Sequence, residues 1–319
     1  MGTRKRRSQW IMLLVLALVF LSATWSFGQQ SSQQGSSGSQ QNQPSDQSQP
    51  APSLKNPSGA QSDQPAPPAI SPAETQAYEA IEKELDPDKQ LQLVQSFEKQ
   101  FPKSVLLSDV YFMAGGAAER KNDVPDALKY GEESLKLQPD NLRSLILVAG
   151  LLPLPQALQG TDDQKAQQLT AAEDDANRAL QLLPNITRQA NIPEDQFDRG
   201  KKAIEAQLHS ALGMAHLEKA ILTPGTPSPA ELSQAEQEYK AAVASPQPEA
   251  QDYYRLGEVC TRESKWDDAI SAFTQAAQLG QGTMIQKYAD DMIQKVKAQQ
   301  AKSPASPPPN PPATQPAKQ

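Results

Sequence analysis

Cysteine is almost missing from this chain of 319 residues: Cys260 stands alone. A single thiol excludes an intramolecular disulfide and a cysteine-built zinc cluster. At an apolar helix position it serves as a small packing residue. Aromatic residues make up 5% of the chain and the hydrophobic fraction is 37%, too little apolar material for one closed core of this length. No glycine-rich phosphate loop and no serine or cysteine nucleophile motif occurs. Catalysis therefore finds no support, and no cofactor or metal is expected. Basic charge is also scarce. The net charge of −7 becomes −11 without the first 28 residues, which hold Arg4, Lys5, Arg6, Arg7 and no acid. Such a body lacks the concentrated lysine and arginine that nucleic acid or anionic lipid would require. The plain reading is that its acidity maintains solubility.

What is abundant is proline, 28 residues in clusters. Residues 29–72 and 301–319 consist almost wholly of Gln, Ser, Pro, Ala, Gly and Asn. Such segments cannot bury enough apolar surface to offset chain entropy, which predicts a disordered linker and a disordered tail. The composition deficit then vanishes, leaving about 73–300 as the folding unit. Ahead of the linker, the basic Arg4–Arg7 run precedes an apolar stretch from Trp10 to Leu21, followed by Ser22, Ala23, Thr24 and Ser26 before Gly28. This is the layout of a secretory signal peptide over 1–28. The apolar stretch spans about 18 Å as helix, short of the roughly 30 Å hydrocarbon layer. Trp25 and Phe27 extend the segment, so an uncleaved anchor is the alternative, and beyond it no membrane contact is expected. The expected location is extracytoplasmic, periplasmic or secreted.

The folding unit repeats. Counting from Ala250, a large residue falls at position 4 (Tyr253), Leu-Gly at 7 and 8 (Leu256, Gly257) and a packing residue at 11 (Cys260). Ala269, Phe273 and Ala276 follow at 20, 24 and 27. A second unit from Ser108 places Tyr111, Ala114, Gly115 and Ala118 on a first helix. Its second helix carries Ala127, Gly131 and Ser134 and ends before Pro139. Gly131 stands where the first-counted unit has an aromatic, implying a changed approach at that contact. Units from Leu142 and Ala206 fit once insertions around Pro153–Gln164 and Thr223–Pro229 are placed between their two helices. A degenerate hairpin precedes them: Tyr78, Ile81 and Leu85, a break at Asp86-Pro87-Asp88, then Leu91, Val94, Phe97 and Phe101 before Pro102. Ile285, Ala289, Met292, Ile293 and Val296 mark an amphipathic capping helix over 284–300. Small residues at positions 8 and 20 admit close approach of two antiparallel helices, and positions 4, 7, 11, 24 and 27 fill the seam.

This pattern resembles the tetratricopeptide repeat (TPR), over residues 73–283. The resemblance implies an all-α solenoid of helical hairpins with disordered terminal segments, an exported bacterial type that binds a protein rather than catalysing. In that family, ligands lie in a concave groove lined by first helices at positions 2, 5, 9 and 12. The matching residues here are Asp109, Phe112 and Gly116, then Arg143 and Ile146, then Ser210 and Met214, and finally Tyr254 and Glu258. The Lys and Asn set of a carboxylate clamp is absent. An aromatic and apolar floor with scattered charge suits an extended or helical protein segment, and envelope assembly is the implied setting. The bland alternative is that these are ordinary half-exposed helix residues. A reading from another class makes the protein a metal or small-ligand binder, with His209 and His216 seven residues apart on one helix face and Glu205 nearby. Both histidines also fall at packing positions 4 and 11.

Overall fold

A computed structural model describes residues 70–302 apart from 189, 191 and 223–226. The expected signal segment, nearly all of the linker and the tail from 303 lie outside the described residues. The helices all belong to one compact unit that begins at Pro72.

The described residues hold eleven α-helices and no strand. They run as five hairpins: α1 (Pro72–Lys83) with α2 (Pro87–Gln100), α3 (Leu107–Arg120) with α4 (Val124–Leu137), α5 (Leu142–Leu151) with α6 (Asp162–Leu182), α7 (Glu194–Leu222) with α8 (Pro229–Val243), and α9 (Ala250–Arg262) with α10 (Trp266–Leu279). Then α11 (Met284–Gln300) closes the series against α10 and α9. Local chemistry sets the starts. Asp86 accepts hydrogen bonds from the Asp88 and Lys89 amides, with Pro87 opening α2. Asp123, Asn141 and Ser228 cap α4, α5 and α8. Thr161 and Gln164 form a reciprocal capping box on α6. Each such cap satisfies an orphan amide and contributes about 1 kcal/mol.

The close approaches are made by glycine. A Cβ on Gly257 would lie 2.8 Å from the Phe273 ring, and one on Gly213 would lie 3.0 Å from the Tyr239 ring. Both rings are fully buried. In the α3–α4 hairpin the aromatic is replaced by Gly131, and the result is tight: a Cβ there would meet Val148 of α5 at 2.6 Å. Leu147 of α5 likewise closes to 2.6 Å of a Cβ on Gly115. The next hairpin thus fills the space that an aromatic side chain occupies elsewhere.

Apolar burial runs along the stack as successive clusters. One gathers Ile81, Val94, Phe97 and Val110, another Leu145, Ala176, Ala179 and Leu208, and another Tyr239, Leu256, Phe273, Ala289 and Val296. Each hairpin covers its neighbour, as stacked repeats require. First helices pack on successive first helices throughout, α1 on α3, α3 on α5, α5 on α7, α7 on α9 and α9 on α11. Among the described residues, second helices make no comparably close approach to one another, so the first helices line the tighter side of the stack.

Two stretches depart from the repeat. The α5–α6 connection folds Leu154, Ala157 and Leu158 back onto neighbouring clusters. Helix α7 starts at Glu194, twelve residues before the repeat position at Ala206, and its early turn is anchored by buried Phe197.

Candidate protein-docking face

The row of first helices brings three of the expected residues into direct contact. Asp109 of α3 and Arg143 of α5 are equivalent positions one 34-residue period apart, and Arg143 Nη2 donates to Asp109 Oδ1 at 3.1 Å. The Arg143 guanidinium lies 5.0 Å from the centroid of the Phe112 ring. Asn141 braces the arrangement through hydrogen bonds. Its Oδ1 accepts from the Ser144 amide to cap α5, while Nδ2 donates to Ser108 Oγ at 2.9 Å and to Asp109 Oδ1 at 3.2 Å. Ser108 in turn meets Ser134 at 2.9 Å, and Ser134 meets Ser144 at 2.6 Å, a buried knot joining α3, α4 and α5. Tyr78 of α1 borders the cluster: burial raises its pKa with help from Asp109, while the Arg143 guanidinium opposes.

Asp109 and Arg143 keep 31% and 27% of their side-chain surface. An ion pair this accessible contributes at most about 1 kcal/mol, and the cation–π contact about 0.5–1 kcal/mol. Their effect is to hold an arginine, a carboxylate and an aromatic ring in one geometry.

The remaining expected residues lie at separate places along the first helices. Tyr254 of α9 packs edge-on against Phe273, ring centroids 5.3 Å apart. Burial, aided by Glu258, pushes its hydroxyl pKa up to about 12. Glu258 accepts from Arg255 Nη1 at 2.8 Å. Met214 of α7 is half-buried. Nearby, Ser210 Oγ donates to Asp252 Oδ1 at 2.5 Å, and burial lifts the Asp252 carboxyl to about 6 although the Ser210 bond works against the rise. Ile146 packs on the cluster containing Leu208, Ala211 and Leu212 of α7, so it fills the seam between first helices. Tyr78, Asn141 and Arg255 were not singled out by repeat position. Tyr78 alone had a sequence signal, as the large residue opening the degenerate hairpin.

The two histidines do not converge. Seven residues of helix separate them by about 10 Å along the axis. His209 Nδ1 meets Glu238 at 2.7 Å, a bond that raises its pKa above the usual value with Glu205 adding a smaller pull. His216 Nδ1 meets Glu231 at 2.7 Å and Glu173 at 3.3 Å. A joint His209–His216 site is therefore corrected to two independent pairings. On the second helices, a cleft of about 890 Å³ between α4 and α6 is floored by Leu128, Val148 and Leu152. It also holds Asp175, whose carboxyl burial raises to about 6.

Three solved structures resemble this arrangement of helices. Acl4, an assembly chaperone of RpL4 (residues 1–338), aligns with a TM-score of 0.51 at 9% identity, over 72% of this chain and 84% of its own. The fold is TPR-like. A thermophilic TPR protein of Thermus thermophilus, TTC0263, aligns at 0.45 with 15% identity, over 70% of this chain and 96% of that one. A MamA RS-1 ArsTM double mutant aligns at 0.46 with 15% identity, over 66% and 96%. No family model and no curated protein matches the chain. At these identities the likeness to TPR-like structures concerns the fold alone.

Proposed function

We propose that this protein is a non-catalytic, exported scaffold, periplasmic or secreted, that docks a partner protein along its row of first helices during envelope assembly. One observation carries the docking face: Asp109, Arg143 and Phe112 meet on adjacent first helices, half-exposed and already ordered. Ordering a long side chain at an interface costs about 0.5–1.5 kcal/mol, and a prearranged arginine avoids much of it. Arginine and aromatic side chains are also those that concentrate binding energy at interfaces. The export reading rests on the basic, apolar and small-residue order of residues 1–28.

The face is tested by affinity capture from an envelope extract with wild-type protein and with Phe112→Ala combined with Arg143→Gln. The expected result is loss of one or more specific partners by the double variant while its helical circular dichroism is retained. Recovery of an unchanged partner set refutes the docking face. Sequencing the mature amino terminus tests export, and a cytoplasmic, uncleaved product refutes it.

A further inference from the structure

Glu173, His216 and Glu231 come from three successive helices, α6, α7 and α8, and present one donor atom each, all within 4.8 Å of one another. His216 Nδ1 can donate only one hydrogen, and Glu231 Oε2, at 2.7 Å, takes it. Glu173 Oε1 lies 3.3 Å from the same nitrogen, yet it is buried and has no hydrogen-bond partner. The other Glu173 oxygen, Oε2, is held by Lys219 Nζ at 2.6 Å. Two carboxylates therefore share one imidazole hydrogen and one ammonium, and a buried Glu173 oxygen beside the imidazole is left without a hydrogen. An orphaned carboxylate oxygen is expensive to bury. A cation seated between the three donors satisfies it.

We propose that Glu173, His216 and Glu231 bind a divalent transition-metal ion, with zinc as the best match. The ligands are one imidazole nitrogen and two carboxylate oxygens, a mixture suited to a borderline ion rather than to calcium or magnesium, which want six or more oxygens. At bond lengths near 2.0–2.1 Å, the edge of a zinc tetrahedron is about 3.3 Å. The His216 Nδ1 to Glu173 Oε1 separation equals that edge. The Glu231 oxygen sits closer because it now accepts a hydrogen, and it must move outward by about 0.6 Å to reach the same edge. On binding, Nδ1 gives up its hydrogen, to Nε2 if the imidazole is neutral or to solvent if it is charged, and its lone pair goes to the metal. Lys219 stays on Glu173 Oε2 and orients that ligand from behind. The fourth position is open to water. His209 takes no part, being engaged with Glu238. Joining α6 to α7 and α8, the ion would tie the third hairpin to the fourth, independently of the docking face.

The test uses the full chain, stripped with chelator and titrated with Zn2+ in a calorimeter, then loaded with Co2+ for visible spectroscopy. The expected result is one Zn2+ per chain and the intense visible bands of tetrahedral Co2+. Affinity should fall by more than about tenfold in His216→Ala and in Glu231→Gln, and stay unchanged in His209→Ala. Should His216→Ala lose its helical signal, Glu173→Gln and Glu231→Gln carry the test, since both keep side-chain shape. Absence of stoichiometric Zn2+ binding overturns the proposal. So does binding that persists in Glu173→Gln and Glu231→Gln, or that disappears in His209→Ala.

Discussion

Replacing Gly257 by alanine tests how the hairpins pack. Exchanging glycine for alanine inside a helix normally stabilises by about 0.5–1 kcal/mol. At Gly257 the new methyl would sit 2.8 Å from two Phe273 ring atoms and 2.9 Å from a third. Phe273 has no exposed surface, and Tyr254 packs edge-on against it, so the ring has no room to retreat. Overpacking of this kind costs about 1–3 kcal/mol, which outweighs the propensity gain and leaves a net loss of about 1–2 kcal/mol. Gly116→Ala supplies the contrast, because its Cβ would meet only the tip of Arg120 at 3.7 Å. That variant should gain about 0.5–1 kcal/mol. Urea melts followed by far-ultraviolet circular dichroism should show the midpoint lowered for Gly257→Ala and raised for Gly116→Ala, with slopes alike. The thermal midpoints should move apart by about 3–12 °C. A Gly257→Ala protein as stable as wild type would mean that α9 and α10 do not approach as described.

Asn141→Ala removes the α5 cap and leaves Ser108 and Asp109 each short of a donor; a loss of about 2 kcal/mol is expected in the same melts. Asp252 tests the electrostatics. Its folded carboxyl, near 6 because of burial, binds its proton more tightly than in the unfolded chain, where the ordinary value is 3.8. Its stabilising contribution is therefore complete below about 3.8 and is lost as pH rises toward and through about 6. Asp252→Asn should remove that slope and gain up to about 3 kcal/mol at neutral pH relative to wild type, and stability measured from pH 4 to 7 checks it. A Cys260 thiol pushed to about 12, first by burial and then by Glu236, should resist a thiol reagent in the folded protein and react on unfolding. Rapid labelling of the folded chain would refute that.

Repeat and hairpin order were legible in the sequence because they rest on local periodicity. The large residue, Leu-Gly and aromatic spacing from Tyr253 to Phe273 specifies two antiparallel helices wherever it occurs, and Asp86, Pro102 and Pro139 mark helix ends by their own backbone chemistry. The 34-residue period by itself puts Asp109 and Arg143 at equivalent positions. Tertiary structure alone decided the rest. Gly131 could have meant a looser or a tighter contact, and only the arrival of Val148 and Leu147 from α5 makes it tight. Likewise His209 and His216 share a helix face, yet their partners are Glu238 in one case and Glu173 with Glu231 in the other. Periodicity specifies which side of a helix a residue occupies. Which groups converge there depends on how neighbouring helices rotate and stack, and that is settled by packing among residues far apart in the chain.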